Sequence, residues 1–363
     1  MNILAKLRKP SIYWLLAFVP ITIVLERIEG VSDPLIFFSA AIAIVPIASL
    51  IVHSTEAIAA HTGDAIGGLL NATFGNAPEM IIALVALKAG LLDMVRASII
   101  GAVIANLLLF LGVAFFLGGL KHRRQNYNPG ATRVYSTMMM IAVVSLIIPS
   151  AFTRFFGETE GLPQQQSINL GTSVALLLMY ALYLLFMLKT HPDVFASKEK
   201  GPKEEHHAKI PLPWGLGGLV GASVLAAFMS EILVGAAEGT GKALGMSEIF
   251  IGMVVLASVG GAAEGASAIA TARKNKVDLT VGIALGSSIQ LALFVAPLLV
   301  LLSYVVAPQP LMLAFGRPEL GILLFAVVTG ILVSSDGEAN WFRGVQLITL
   351  YALAALMFYF LPV

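Results

Sequence analysis

Cysteine is absent from all 363 residues. That excludes a disulfide framework, thiolate catalysis and a Cys-ligated zinc site. Charge is scarce as well. Asp, Glu, Lys and Arg make up 12% of the chain, against about 25% in a typical soluble domain. The net charge of +1 offers no electrostatic footprint for nucleic acid. The zinc-hydrolase pattern HExxH is also missing, since His53 and His61 flank Glu56 without that spacing. The basic, apolar start MNILAKLRKPSIYWLLAFVPITIVLERIEG is followed by no small-x-small cleavage site, so it reads as a retained first span. What the chain has in excess is apolar surface, at 58% of residues. It is expected to be an all-α, multi-pass integral membrane protein, with the lipid bilayer as its surroundings.

A membrane-crossing helix needs roughly 20 mostly apolar residues. Eleven stretches qualify: 11–28, 33–53, 65–88, 95–119, 134–152, 168–188, 212–235, 246–272, 278–304, 317–335 and 343–362. The longest polar interruption, 189–211, is rich in Lys, Glu and Pro and reads as a cytoplasmic linker. The expected division is an extra N-terminal helix in 1–30, a five-helix unit in 31–188, the linker, and a second five-helix unit in 212–363. Lys and Arg concentrate in cytoplasmic loops. With the N-terminus inside, sixteen of the 22 basic residues fall on the inner side. Six fall outside: Arg27, Lys88, Arg96, Arg154, Lys242 and Arg317. The expectation is a cytoplasmic N-terminus and an external C-terminus, in a prokaryotic cell membrane.

The two units carry related stretches 185 residues apart. GGLLNATFGNAPEMIIALVALKAGLLDMVRASIIGAVIANLLLF begins at Gly67, and GMVVLASVGGAAEGASAIATARKNKVDLTVGIALGSSIQLALFV begins at Gly252. They align without a gap. Gly75 meets Gly260, Glu79 meets Glu264, Lys88 meets Arg273, Asp93 meets Asp278 and Gly101 meets Gly286. Five spans is an odd number, so the second unit must insert upside down relative to the first. Inverted repeats of this kind mark secondary transporters, whose ion sites lie near the midplane on interrupted helices.

The chemistry centres on Glu79 and Glu264. A charge at the bilayer centre costs at least ~2.5 kcal/mol, and two facing carboxylates cost more. A divalent cation relieves that cost, and so does protonation. Such a site holds metal or protons in turn, the minimum requirement of a proton-coupled exchanger. Oxygen ligands without thiols favour Ca2+ over soft metals. Pro78, Gly75 and Gly260 are expected to open their helices and bare backbone carbonyls. Such carbonyls are tolerated at membrane depth only against protein or a wet cavity. Asn71, Thr73, Asn76 and Asn106 in the first half, and Ser258, Ser267, Ser287, Ser288 and Gln290 in the second, lie within reach. A lone Ser or Asn more often joins membrane helices. Glu56 and Glu238 end the first helix of each unit on opposite sides, where they are ordinary interfacial charges or guide cations inward. The sequon at Asn71 falls inside a span and is unavailable for glycosylation.

GNAPEMIIALVALKAGLLDMVRASIIGAVIANLLLFLG and GGAAEGASAIATARKNKVDLTVGIALGSSIQLALFVAP resemble the paired motifs of the Ca2+/H+ exchangers of the calcium:cation antiporter superfamily. The resemblance implies eleven helices in two inverted five-helix repeats, with Ca2+ as transported substrate driven by proton movement and no cofactor. It implies that Glu79 and Glu264 are the central cation and proton ligands, with Asn76, Asn106, Ser287 and Gln290 beside them. It also implies that spans 33–53 and 212–235 slide to alternate access. The chain departs from the family pattern at Gly261 and Gly265, where Asn and His are usual, at Pro78 in place of Thr and at Ala102 in place of Ser. The mixed-charge linker shows no sign of the acidic helix found in some relatives. The alternative is a proton- or sodium-coupled exchanger for another cation, such as Na+, K+ or Mn2+. A channel would pass metal without a proton gradient, and an enzyme would need a nucleophile or zinc motif that no span contains. Oligomeric state is left open by the sequence, which is compatible with a homo-oligomer.

Overall fold

The computed structural model describes residues 12–62, 64–156, 163–195 and 210–361. Apart from one two-stranded ladder, the regular structure is helical. A 3-10 turn, Ile12–Ala17, leads into α1 (Phe18–Arg27), followed by α2 (Asp33–Thr62). Then come α3 (Asp64–Phe74) and α4 (Ala77–Lys88), and α5 (Leu92–Lys121). Strand β1 (Gln125–Asn126) precedes α6 (Pro129–Phe156) and α7 (Pro163–Thr190). After the single turn α8 (Pro192–Phe195), the second half begins with α9 (Leu212–Gly235) and α10 (Ala237–Leu244). It continues with α11 (Glu248–Gly260), α12 (Ala262–Arg273), α13 (Val277–Val306) and α14 (Arg317–Ser334), then β2 (Glu338–Ala339) and α15 (Trp341–Tyr359).

Among the described residues, eight helices are long and apolar enough to cross a membrane, and α11 with α12 make a ninth span bent by 55°. The expected spans 11–28 and 65–88 correspond to the short turn-plus-α1 segment and to the pair α3 and α4, broken at Gly75–Asn76. Most of the expected linker lies outside the described residues. Its first residues are not free chain, because α7 runs on to Thr190 and α8 packs against α6. Large apolar side chains such as Val224, Leu178 and Phe325 project outward, as a lipid-facing surface requires.

Loops gather on two faces. On one, β1 pairs antiparallel with β2, with Gln125 opposite Ala339. Gln125 also donates to the Ala272 carbonyl at 2.8 Å, and Lys121 Nζ donates to the Arg273 carbonyl at 3.0 Å. The Arg343 guanidinium grips Asp336, and the Tyr127 hydroxyl donates to the Ser334 carbonyl at 3.0 Å. On the other face, an extended segment after α13 is satisfied by buried side chains. Asn169 bonds Leu311 O and Leu313 N at 2.9 and 2.8 Å, and Ser150 accepts from Phe315 N at 3.0 Å. Non-helical backbone away from water requires such partners.

Helix crossings are close where glycine permits. The position of a Cβ on Gly344 in α15 lies 2.5 Å from the Gly112 carbonyl oxygen of α5 and collides with the Phe116 backbone. Gly344→Leu is therefore expected to destabilise the fold by ~1–3 kcal/mol, the usual cost of overpacking, measured as a lowered thermal midpoint in detergent. The Arg343 guanidinium holds the Asp336 carboxyl below the usual carboxylate range. That contact stabilises the folded chain above the ordinary carboxylate pKa of about 4 and is lost as pH falls below it. The thermal midpoint of the wild type should thus fall further between pH 6 and pH 3 than that of Asp336→Asn, with both followed by differential scanning fluorimetry.

Candidate functional site

Both interrupted helices break where glycine stands before the glutamate. In the first half the chain leaves α3 at Phe74, turns through Gly75 and Asn76, and restarts as α4 at Ala77. Pro78 sits in the first turn of α4, where its missing N–H costs no hydrogen bond. The proline thus starts the new helix, and the opening itself lies at Gly75–Asn76. In the second half Gly261 is the break, and α12 restarts at Ala262. Glu79 and Glu264 each lie in the first turn of the new helix, the end where a negative charge is favoured. The expected bare carbonyls are partly taken up. Asn71 O accepts from Gly75 N at 2.9 Å, Asn76 O from Met80 N at 3.0 Å, Ala257 O from Gly261 N at 3.1 Å and Gly261 O from Gly265 N at 2.8 Å.

The two breaks pack reciprocally. The position of a Cβ on Gly260 lies 2.8 Å from Glu79 Cγ, and that of a Cβ on Gly75 lies 3.5 Å from both Glu264 Oε1 and Gln290 Oε1. Each glutamate thus leans on the glycine of the other half. Ser287 lies beside the Glu264 carboxylate. Both oxygens of Glu79, Oε2 of Glu264, both polar atoms of Asn76, Nε2 of Gln290 and Nδ2 of Asn106 are buried without hydrogen-bond partners. Desolvated polar groups left in this way cost free energy unless a ligand satisfies them. Among the described residues no three His, Cys, Asp or Glu side chains cluster. Any ion at this point must therefore draw on amides, hydroxyls and water as well as the two carboxylates.

The remaining expected site residues are distributed unevenly. Asn106 is buried in a π-helical stretch of α5, Ala105–Phe110, and Gln290 stands directly before the matching stretch of α13, Leu291–Val295. Such bulges recur at functional sites. Ser267 lines the same cavity as Glu264, whereas Ser258 bonds the Tyr351 hydroxyl at 3.1 Å, Ser288 bonds Ala284 O at 2.8 Å and Thr73 bonds Leu69 O at 2.8 Å. Glu56 does not end its helix. It sits within α2, which continues to Thr62, and it lines the cavity that reaches Glu264. Glu238 stays on the opposite face, in an exposed pair with Lys242 at 2.6 Å.

A cavity of about 410 Å³ runs from Asp278, Leu279 and Phe195 past Tyr135, Tyr180 and Tyr183 to Glu264, Ser287 and Gln290. Its Asp278 end lies on the side of Lys121, Arg273 and the β-ladder, where Asp278 accepts from the backbone N of Asn128. The tyrosines escaped the sequence reading because isolated aromatics in apolar helices carry no pattern. On the other side Glu79 meets only a void of about 10 Å³, lined by Ser98, Ala102, Leu256 and Ala257. There α5 and α11 press together: a Cβ on Gly252 would lie 2.5 Å from Met94 O, and one on Gly101 would overlap the Met253 backbone. Gly286, the counterpart of Gly101, has nothing within 4 Å of its Cβ position.

A multi-pass membrane protein with two interrupted helices meeting at buried carboxylates, three of whose four oxygens lack partners, has the architecture of a transporter. The chain belongs to the sodium/calcium exchanger protein family, in its Ca2+/H+ exchanger group, and the family model matches residues 32–189 and 214–360. It is similar to a Ca2+/H+ antiporter of Aphanothece halophytica, at 37% identity over 98% of each chain. It is similar also to the Ca2+/H+ antiporter ChaA of Bacillus subtilis, at 40% identity over 88% of this chain and 90% of that one. Among solved structures, native YfkE matches with a TM-score of 0.83 and 36% identity, over 97% of this chain and all of that one.

The absence of cysteine makes the open and closed sides directly testable. Gly286→Cys should react quickly with a membrane-impermeant thiol reagent applied to the basic face. Ser98→Cys, beside the small void, should stay unlabelled under the same conditions, as read by mass shift.

Proposed function

We propose that this chain exchanges Ca2+ for H+ across a cell membrane by alternating access, with Glu79 and Glu264 taking cation or protons in turn. The observation that carries the reading is the reciprocal packing of two carboxylates against Gly260 and Gly75, with both oxygens of Glu79 and one of Glu264 buried without partners. Two adjacent buried negative charges are too costly to leave uncompensated, and either a divalent cation or protons compensate them. Neither set fits comfortably with the other, so their fluxes are coupled. The Ca2+/H+ antiporter relatives support the choice of ions.

In this reading the polypeptide crosses the membrane eleven times, as residues 1–30 followed by inverted units in 31–188 and 212–363. The basic face is cytoplasmic, which places the N-terminus inside and the C-terminus outside. The 410 Å³ cavity is then the inward vestibule, and Glu56 and Asp278 line the cation's path to Glu264. Asn76, Ser287 and Gln290 complete the oxygen set, and Asn106 supports it from the π-helical stretch. Outward opening requires α5 to part from α11 at Gly101 and Gly252, while α13 closes on α3 at Gly286. The paired helices α2 and α9, which pack along each other, slide to accompany that exchange. Glu238 serves the outer mouth in the same way. Exchange of another cation, such as Na+, K+ or Mn2+, is a second reading, favoured by the missing side chains at Gly261 and Gly265.

Everted vesicles carrying the protein and an acid interior should take up Ca2+, and uptake should collapse when the pH gradient is dissipated. Glu79→Gln and Glu264→Gln should each lower exchange by about a hundredfold or more, the scale of losing ~3 kcal/mol of ion binding. Full exchange by both variants would overturn the reading, and competition by Mn2+, Na+ and K+ in the same assay separates the two ion choices.

A further inference from the structure

Gly261 and Gly265 are empty positions only in sequence. In space both are filled by one ring. A Cβ on Gly261 would lie 2.8 Å from Phe110 Cε2, and one on Gly265 would lie 2.7 Å from both Cγ and Cε1 of the same ring. Phe110 closes the π-helical stretch of α5 that carries Asn106, and Gly261 and Gly265 bracket Glu264 on α12. Aromatic ring and glycines therefore form a single steric unit around the turn that presents the second carboxylate.

The first half shows the opposite solution. At the 185-residue offset Gly261 corresponds to Asn76, Gly265 to Met80 and Phe110 to Val295. Val295 lines the void beside Glu79, and it is smaller than phenylalanine by most of a ring. Where the residue at this repeat position is a valine, the turn bears a carboxamide and a long side chain. Where it is a phenylalanine, the turn bears none. The Asn76 carboxamide is buried with both polar atoms unpartnered, so the first half brings an amide to the site that the second half lacks at the matching place.

We propose that Phe110 is a positioning and selectivity-determining residue. It braces the glycine-flanked turn that holds Glu264, and it keeps the second-half wall one oxygen-bearing side chain short of the first. The proposal rests on the reading of Glu79 and Glu264 as the cation site. Two glycines give the turn wide backbone freedom, and the ring restricts it from one side. The missing oxygen leaves a coordination position to water. Ca2+ accepts six to eight oxygen ligands in flexible geometry, whereas Mn2+ favours octahedral oxygen coordination. A wall short of one oxygen therefore discriminates less against Mn2+ than a wall that supplies it.

The test uses the full chain in proteoliposomes with an acid interior, measuring Ca2+ and Mn2+ uptake. Ca2+- and Mn2+-dependent thermal stabilisation in detergent is recorded in parallel. Gly265→Ala should lower Ca2+ uptake by about tenfold or more, a loss of ~1.4 kcal/mol, and adding Phe110→Leu to it should recover at least half of the wild-type rate. Phe110→Leu with Gly261→Asn should raise the ratio of Ca2+ to Mn2+ kcat/KM by about tenfold, with a parallel change in thermal stabilisation. Wild-type rates for Gly265→Ala, no recovery in the double variant, or a Ca2+ to Mn2+ ratio unchanged to within about twofold would overturn the proposal. If Gly265→Ala does not fold, the two double variants decide the matter. A wild type that shows neither pH-driven uptake nor cation-dependent stabilisation would instead sink the exchanger reading, which separates the two failures.

Discussion

The structure depends on a contact that would be unfavourable almost anywhere else: two carboxylates brought together where little protein can satisfy them. Glu79 rests on Gly260, and Glu264 stands over Gly75. The oxygens of Glu79 and one of Glu264 are left without hydrogen-bond partners. A stable soluble core avoids this arrangement, because unpaired buried charge costs several kcal/mol. A protein retains it where the deficit is made good by something that comes and goes. The glycines are the geometric condition. A side chain at 260 would displace the Glu79 stem, and one at 75 would crowd Glu264 and Gln290. Helix breaks at those points also start new helices whose first turns carry the glutamates, so the fixed dipoles favour the negative charge.

Around that centre the two halves are alike in parts and unlike in packing. Breaks, glutamates and the π-helical stretches at Ala105–Phe110 and Leu291–Val295 recur at matching positions, while the π-helical stretch Ile251–Leu256 has no counterpart among the described residues of the first half. The crossings differ. Gly101 lies against the backbone of Met253 and Gly252 against that of Met94, whereas Gly286 looks into open space. Small residues let helix backbones approach closely in membranes, and the same glycine can serve a closed crossing or an open cavity wall. Near-equivalent halves with one crossing closed and the other open are a natural two-state element. In the proposed cycle the crossings exchange roles, which moves the opening while the glutamates stay at the shared site.

Much of this was legible in the sequence. Nine of the eleven expected spans reappear among the described residues as long apolar helices, one of them a bent pair, because a crossing helix is marked by its apolar length. The repeat offset of 185 residues put Glu79 opposite Glu264 before any coordinates, and the structure brings those two side chains together. Less was legible wherever the answer depends on who sits across an interface. Pro78 reads as a helix breaker by type, yet at the start of α4 it is a helix starter, since its position relative to the break decides its effect. Glu56 reads as the end of a helix because it is a charge at the edge of an apolar run, yet α2 continues to Thr62 and Glu56 itself lines a cavity. Ser258 reads as a site neighbour by spacing, but its helix turns it towards Tyr351. Spacing along one chain gives the face of a helix and leaves open which partner that face meets.

Phe110 shows the same limit from the other direction. Read alone, it is one more apolar residue at the end of LLLF, and Gly261 and Gly265 are losses of polar function. Read together, they are a size exchange across a helix crossing, and the space that two side chains would occupy is held by a ring from another span. Close packing makes such exchanges obligatory, since a void at that point would forfeit contact energy and an extra side chain would force strain. A departure from a motif is therefore incomplete evidence about chemistry until the residue that fills the vacated space is known. Here that residue is apolar, so the departure removes polar side chains from the second half without leaving a void. The site is asymmetric in its donors while remaining tightly packed on that wall. An asymmetric donor set in an otherwise repeated framework gives the two carboxylates different surroundings, Glu79 beside an unpartnered carboxamide and Glu264 beside a hydroxyl and the open cavity. In the proposed exchange, different surroundings would let two chemically identical groups take unequal shares of cation and proton.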